Sequence, residues 1–104
     1  MDNAIARTAL FGQLPGEARF EITVEIGAPY KCGESPEEWA CPVALRPLHG
    51  KLPDAHGNDG FQALCLAIGH VQNLLRRFRE EGGALTYDSG EPFPLEAYAF
   101  GGRG

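Results

Sequence analysis

This sequence has no long apolar run and no excess of basic residues. No segment approaches the about 20 consecutive apolar residues that a membrane-spanning helix needs. The formal net charge is -5, with 9 Lys and Arg against 14 Asp and Glu. A general nucleic-acid-binding protein needs the opposite balance, because cations must neutralise the phosphates. We therefore expect no membrane span and no nucleic-acid partner.

The sequence also lacks a secretion signal and close-spaced cysteines. Residues 1–7 have no basic start followed by an apolar stretch, which a signal peptide requires. The three cysteines, Cys32, Cys41 and Cys65, are an odd number with no tight pair. This pattern predicts reduced thiols in a cytoplasmic protein. The spacing of Cys32 and Cys41 would permit a disulfide, but cytosolic disulfides are rare.

The remaining composition is typical of one globular domain. The hydrophobic fraction is 43% and the charged fraction is 22%. A chain of 104 residues can bury a core without metal or disulfide crosslinks. We predict a single domain over residues 1–104, with a loose tail at 101–104.

Residues 19–27 are the clearest strand, because apolar and polar side chains alternate along them. A first strand is predicted from Ile5 to Phe11 and a third from Trp39 to Arg46. In the third strand Pro42 has no N–H to donate, so it lies at an edge, faces away from its partner or marks a bulge. We interpret residues 27–36 as a loop and 48–55 as a short fourth strand or an irregular passage.

One long helix follows, over about residues 59–81. Asp59 is the predicted N-cap, with its carboxylate accepting from the N–H of Gln62 and the Gln62 side chain reaching back. An apolar stripe at three- and four-residue spacing predicts a buried face, and Gly82 with Gly83 ends the helix. A phosphate site at this N-terminus is the weaker interpretation, since Asp59 already brings a negative charge there and no Lys follows.

These elements predict an α+β fold: an antiparallel sheet of three to five strands with the helix packed across one face, in the order β-β-β-(β)-α-β. The last strand is expected at about residues 84–87. The predicted core comprises alternating strand residues and the helix stripe: Phe20, Ile22, Val24, Ile26, Trp39, Val43, Leu45, Phe61, Leu64, Ile68, Val71 and Leu75.

Metal or cofactor binding is not indicated by the spacing of the possible ligands. Cys32 and Cys41 have eight residues between them, and His49 and His56 have six. A structural zinc site typically uses pairs two to four residues apart. We therefore expect no metal, no cofactor and no assigned catalytic residue.

A cysteine nucleophile is the alternative hypothesis. Cys32 lies beside Lys31, which could favour its thiolate. In such an enzyme His49 or His56 would serve as the base, and Asp54 or Asp59 would orient it. No local signature of a known cysteine enzyme surrounds Cys32.

Two charged groups are the candidate interaction surfaces. The polar side of the second strand presents Glu21, Thr23 and Glu25, an acidic patch if that face of the sheet is open. The last turns of the helix carry Arg76, Arg77 and Arg79. Both groups have simpler interpretations, as a solvated sheet face and as cations at the negative end of the helix dipole.

The sequence resembles a family of small uncharacterised bacterial proteins. The resemblance lies in a W-x-C-P segment at residues 39–42 and a G-x-D-x-F-Q-A-L-x-L-A segment at residues 57–67. An I-G-x-P segment at residues 26–29 extends it, so that it spans about residues 5–87. The resemblance implies no activity and no catalytic residue. Our leading hypothesis is a non-enzymatic protein-binding module, self-associating or immunity-like, with the Cys32 enzyme as the alternative.

Overall fold

The computed structural model describes residues 3–98, so the predicted loose tail at 101–104 lies outside the described residues. Residues 3–98 form eight strands, one α-helix and one short 3₁₀ helix at Leu95–Tyr98. In chain order they are β1 (Ala4–Gln13), β2 (Phe20–Gly27), β3 (Tyr30–Glu34), β4 (Glu37–Cys41), β5 (Val43–Arg46), β6 (Gly50–Lys51), β7 (Ala55–Gly57), α1 (Gly60–Glu80) and β8 (Ala84–Thr86).

A five-stranded antiparallel sheet carries most of the core. Its strand order is β6-β5-β2-β1-β8. β2 is the central strand, and its residues Ile22, Val24 and Ile26 are buried on the side that faces α1. The predicted alternation of β2 is therefore confirmed for its apolar side. The α+β class, the antiparallel pairing, the helix across one face and the order of elements are also confirmed.

A second, three-stranded antiparallel sheet was not predicted. It has the order β3-β4-β7. The prediction of a loop over residues 27–36 is wrong at Tyr30–Glu34, which form β3 and pair with β4. The sequence of β3 has no β-branched residue and little alternation, so its intrinsic strand signal is weak. Backbone pairing across the Ser35–Pro36 turn decides its conformation.

The predicted third strand is two strands that belong to different sheets. Pro42 separates β4 from β5, and its carbonyl accepts a hydrogen bond from the N–H of Gly27 at 2.8 Å. Cys41, Val43 and Leu45 are fully buried, and so are their neighbours Ala40 and Ala44. The chain thus passes from the three-stranded sheet (the small sheet) to the five-stranded sheet (the large sheet) at Pro42, which has no N–H to donate to a ladder.

The helix boundaries match the prediction closely. The Asp59 carboxylate accepts from the N–H of Gln62 at 2.8 Å, and the Gln62 Oε1 accepts from the N–H of Asn58 at 2.6 Å. The helix ends before Gly82, whose φ of 100° is in the left-handed region that favours glycine. Within the described residues, no helix is long and apolar enough to cross a membrane.

Ten of the twelve predicted core residues are buried or packed against the core, and two predictions are wrong. Phe61 is 67% exposed and Ile68 is 37% exposed. The five-stranded sheet does not extend far enough to cover Ile68, because β8 pairs only with Phe11–Gln13 of β1. The first turn of the helix rests on the small sheet through Gly60 and Ala63, which leaves Phe61 on a side that this sheet does not cover.

Candidate functional site

A cluster of polar side chains lies on the outer face of the small sheet. Ala40 of β4 is directly opposite Tyr30 of β3 and His56 of β7. Residues opposite one another across a ladder point to the same face, as do residues two apart in a strand. Glu38 and Cys32 therefore join this face, and Ala40 at its centre is fully buried. A small side chain at that centre lets its larger neighbours converge above it.

Three groups in this cluster approach one another closely. The Nδ1 of His56 is 2.6 Å from the Oε2 of Glu38 and 3.9 Å from the Sγ of Cys32. The nitrogen, the oxygen and the sulfur all lie within 4.8 Å of one another. Each comes from a different strand, and all three residues are exposed. Strand pairing brings them together, with Cys32 at a register shift between Lys31 and Gly33 of β3.

A second carboxylate stands beside the three groups. The hydroxyl of Tyr30 donates to Oδ2 of Asp54 at 2.5 Å, and Nζ of Lys51 donates to Oδ1 at 2.9 Å. Both hydrogen bonds lower the pKa of Asp54, and the one from Tyr30 has the larger effect. The pKa of Cys32 is raised, first by desolvation and then by the Glu38 carboxylate. Desolvation and the neighbouring carboxylates therefore oppose a free thiolate at Cys32.

The structure brings Cys32 and His56 together, as the enzyme hypothesis requires, but their geometry suits a nucleophile poorly. In a cysteine–histidine–carboxylate relay, one ring nitrogen takes the thiol proton while the other bonds to the carboxylate. Here the same Nδ1 faces both Cys32 and Glu38. The other candidate base, His49, lies in the turn between β5 and β6, where its backbone N–H donates to the carbonyl of Leu45.

The predicted acidic surface on β2 is changed by ion pairs. Arg7 and Arg46 both donate to the Glu25 carboxylate, Arg46 at 3.1 Å. Glu25 is only 5% exposed, while Glu21 is exposed and Thr23 is half-buried. The expectation of an open acidic patch is therefore wrong at Glu25, whose charge two arginines compensate. Strand pairing decides this, since it places Arg7 of β1 opposite Glu25.

The predicted basic surface on the helix also makes contacts within the chain. Arg79 forms an ion pair with Glu96 of the 3₁₀ segment, and Arg76 donates to the Oδ1 of Asn73 at 3.1 Å. Arg77 is exposed. The pKa of Arg79 is raised, mainly by its hydrogen bonds to Glu96. Arg79 therefore ties the 3₁₀ segment to the helix, whereas Arg76 bonds within the helix itself. Whether any of the three arginines meets a partner stays a prediction.

An apolar recess lies between the helix and the first two strands. Its volume is about 310 Å³. It is lined by Ala6 and Thr8 of β1, by Ile68 and Gln72 of α1, and by Tyr98. The Nε2 of Gln72 is buried and has no hydrogen-bond partner among residues 3–98. The sequence does not predict this recess, because its apolar pattern implies that the helix stripe is wholly covered.

Comparison with known proteins places the chain in a family without assigning it an activity. A family model described as a domain of unknown function, DUF6968, matches residues 10–95. No curated protein and no solved structure matches the chain. The match covers the small sheet, the helix, most of the segment that follows it, and the large sheet apart from residues 4–9 of β1. On this basis, the chain belongs to the DUF6968 family, a domain of unknown function.

Proposed function

We propose that this domain is a non-enzymatic protein-binding module that accepts an extended segment of a partner at the edge of β1. The observation that carries the proposal is the apolar recess beside a strand edge. The partner would add a strand to β1 and place alternate side chains in the recess. This is β-strand addition, in which backbone hydrogen bonds supply affinity and side-chain pockets supply specificity.

Among residues 3–98, the edge of β1 that faces away from β2 is largely unpaired. β2 pairs with β1 from Ala4 to Gly12 on one side. On the other side, among residues 3–98, the only strand that pairs with β1 is β8, and it reaches Phe11–Gln13 alone. The first half of β1 therefore has a row of backbone groups directed away from β2, and such a row is a template for another strand.

The recess supplies the side-chain contacts. It lies beside Ala6 and Thr8, the two residues of this half-strand that face α1. A volume of about 310 Å³ is within the range of pockets that bind ligands. The free amide of Gln72 can donate to a carbonyl of the incoming segment, which would satisfy a donor that costs free energy when it is buried alone.

A different protein suits this site better than a second copy of the chain. In an antiparallel β1–β1 pair, the residues offered to each recess would be Ala6 and Thr8, which are too small to fill it. Two copies would also each bring a net charge of -5, and like charges disfavour association. We therefore propose a partner with bulky apolar residues at alternate positions, and we propose that the domain is monomeric without it.

The setting of this function is also a proposal. Three free thiols are compatible with a reducing compartment such as the bacterial cytosol. An immunity protein that binds a toxin is a narrower form of the same hypothesis. A toxin gene beside the gene for this chain would favour that form, whereas a biosynthetic operon would favour the alternative of an enzyme.

The test uses peptides selected from a random display library on the purified protein. We expect enriched sequences with bulky apolar residues at every second position. Ile68→Lys places a charge at the recess and should weaken binding by at least about tenfold, which corresponds to about 1.4 kcal/mol. Leu66→Lys is the matched control, since Leu66 is a similarly exposed apolar residue of the same helix that does not line the recess.

Hydrogen exchange shows whether the bound peptide forms a strand. Alternate amides of residues 4–9, those directed away from β2, should become protected when the peptide binds. A library that yields no enriched sequence would contradict the proposal. So would peptides that bind both lysine variants equally, or that leave the β1 amides unprotected.

A further inference from the structure

We propose that Cys32, Glu38 and His56 form a binding site for a divalent transition-metal ion, with zinc as the physiological ion. The three side chains lie on the outer face of the small sheet and present one sulfur, one oxygen and one nitrogen within 4.8 Å of one another. This site is independent of the recess and of strand addition at β1.

The ligand types select the class of metal. Zinc binds cysteine sulfur, histidine nitrogen and carboxylate oxygen, and a site with three protein ligands keeps a fourth position for water. A thiolate with an imidazole favours zinc and its transition-metal neighbours over magnesium and calcium, which prefer oxygen ligands. Because all three residues are exposed, solvent can reach the open position.

The spacing of the three atoms needs only a small adjustment. Ordinary zinc bond lengths in a tetrahedral site place neighbouring ligand atoms about 3.4–3.6 Å apart. The sulfur of Cys32 is 3.9 Å from the Nδ1 of His56, and the oxygen of Glu38 is 2.6 Å from the same nitrogen. The sulfur must move inwards by a few tenths of an ångström and the carboxylate outwards by somewhat less than 1 Å. Rotation of exposed side chains can supply both movements.

The shared nitrogen is the feature that distinguishes this arrangement from a catalytic relay. Both the sulfur of Cys32 and the carboxylate of Glu38 approach Nδ1 of His56, so an ion can take the place of the proton between them. On binding, the Cys32 thiol releases its proton to solvent, and the proton between Nδ1 of His56 and Glu38 leaves Nδ1. The imidazole then binds the ion through Nδ1 and carries its one remaining proton on Nε2. Asp54, held by Tyr30 and Lys51, adds a fixed negative charge nearby.

Metal binding would crosslink the small sheet. The ion joins β3 through Cys32, β4 through Glu38 and β7 through His56, and the first and last ligands are 24 residues apart in sequence. A ligand that binds only the folded state raises stability as its concentration exceeds the dissociation constant. The ion should therefore raise the melting temperature and slow the exchange of small-sheet amides.

Cobalt is the first probe, because Co²⁺ adopts zinc-like sites and shows a thiolate-to-metal charge-transfer band. We expect one Co²⁺ per chain with that band, displaced by one equivalent of Zn²⁺ and unaffected by excess Mg²⁺. Cys32→Ser should abolish the band, and Glu38→Gln and His56→Ala should each weaken binding by at least about tenfold, since even supporting residues around metal sites are worth that much. The matched controls are Cys65→Ser and His49→Ala, which remove a thiol and an imidazole from other places.

A second measurement needs no variant. Alkylation of Cys32 in the native protein, mapped by mass spectrometry, should be slowed by one equivalent of Zn²⁺. Buried Cys41 serves as the internal reference. A charge-transfer band that survives in Cys32→Ser would overturn the proposal. It would also be overturned if no Co²⁺ bound, or if the labelling of Cys32 were unchanged by Zn²⁺.

Discussion

Glu25 shows how tertiary contacts change a residue that looks ordinary in the sequence. The alternation of β2 places it on the polar face, where a solvated carboxylate is expected. In the structure it is buried between Arg7 and Arg46, which both donate to it. The hydrogen bond from Arg7 is the largest cause that lowers the pKa of Glu25. A charge that is stabilised by folding makes stability depend on pH.

Replacing Glu25 with Gln tests this pH dependence. Because the pKa of Glu25 is lower in the folded than in the unfolded state, its stabilising contribution is complete above the unfolded-state pKa. It is lost as the pH falls through the folded-state pKa. The variant should therefore be less stable than the wild type at neutral pH, and the difference should shrink as the solution becomes acidic. Urea midpoints at a series of pH values measure this.

Glu21→Gln is the control for that series, since Glu21 lies on the same strand and face but is exposed. It should leave the urea midpoint nearly unchanged at neutral pH. A difference between Glu25→Gln and the wild type that stays constant down to strongly acidic pH would mean that the ion pairs contribute nothing to folding.

At the scale of elements, α1 has an apolar stripe wider than the sheet that covers it. The buried side includes Ala67, Val71 and Leu75, which pack on the large sheet. Ile68 and Gln72 lie on one flank of this stripe, beside the half of β1 that β8 does not reach. An amphipathic pattern shows which side of a helix is apolar, but it does not show the width of the surface on which the helix packs.

Truncation of two helix residues tests this difference. Leu75 is 2% exposed and Ile68 is 37% exposed. Leu75→Ala should lower the free energy of unfolding by about 2–5 kcal/mol, through lost burial and a new cavity. Ile68→Ala should lower it by about 1 kcal/mol or less, since much of that side chain is already in solvent. Chemical denaturation measures both, and equal losses would show that the Ile68 flank is covered in solution.

At the scale of the whole molecule, two sheets share one helix but differ in their share of the core. The buried cluster draws on β2, β5 and α1, whereas β3 contributes no buried residue. β7 likewise has no buried residue, and β4 adds Ala40 and Cys41. Regions with few buried apolar contacts tend to open at a lower free energy than the core. The small sheet is therefore the part of the fold that a bound ion can stabilise most.

Native-state hydrogen exchange without metal should reveal this order. The amides of β3 and β7 are expected to exchange through openings of lower free energy than those of β2 and β5. The gap between the two groups should narrow when Zn²⁺ is added, if the ion binds as proposed. Equal protection in both sheets of the metal-free protein would contradict a weaker small sheet.

The sequence alone predicted the elements whose signals are local. The strict alternation of β2, the Asp59 cap, the length of α1 and its end at Gly82 all depend on residues within a few positions of one another. Period, capping and turn preferences are properties of short segments, so they are visible in the chain itself. They were sufficient for the α+β class and the order of elements.

The pairing of distant segments, by contrast, depends on the folded chain. β3 is a strand because β4 pairs with it, and Pro42 divides the predicted third strand between two sheets. The pairing of β3, β4 and β7 brings Cys32, Glu38 and His56 together. The recess likewise exists because β8 stops three residues along β1. Each of these features depends on contacts between distant segments. The periodic pattern of one segment does not show which other segment pairs with it or how far that pairing extends.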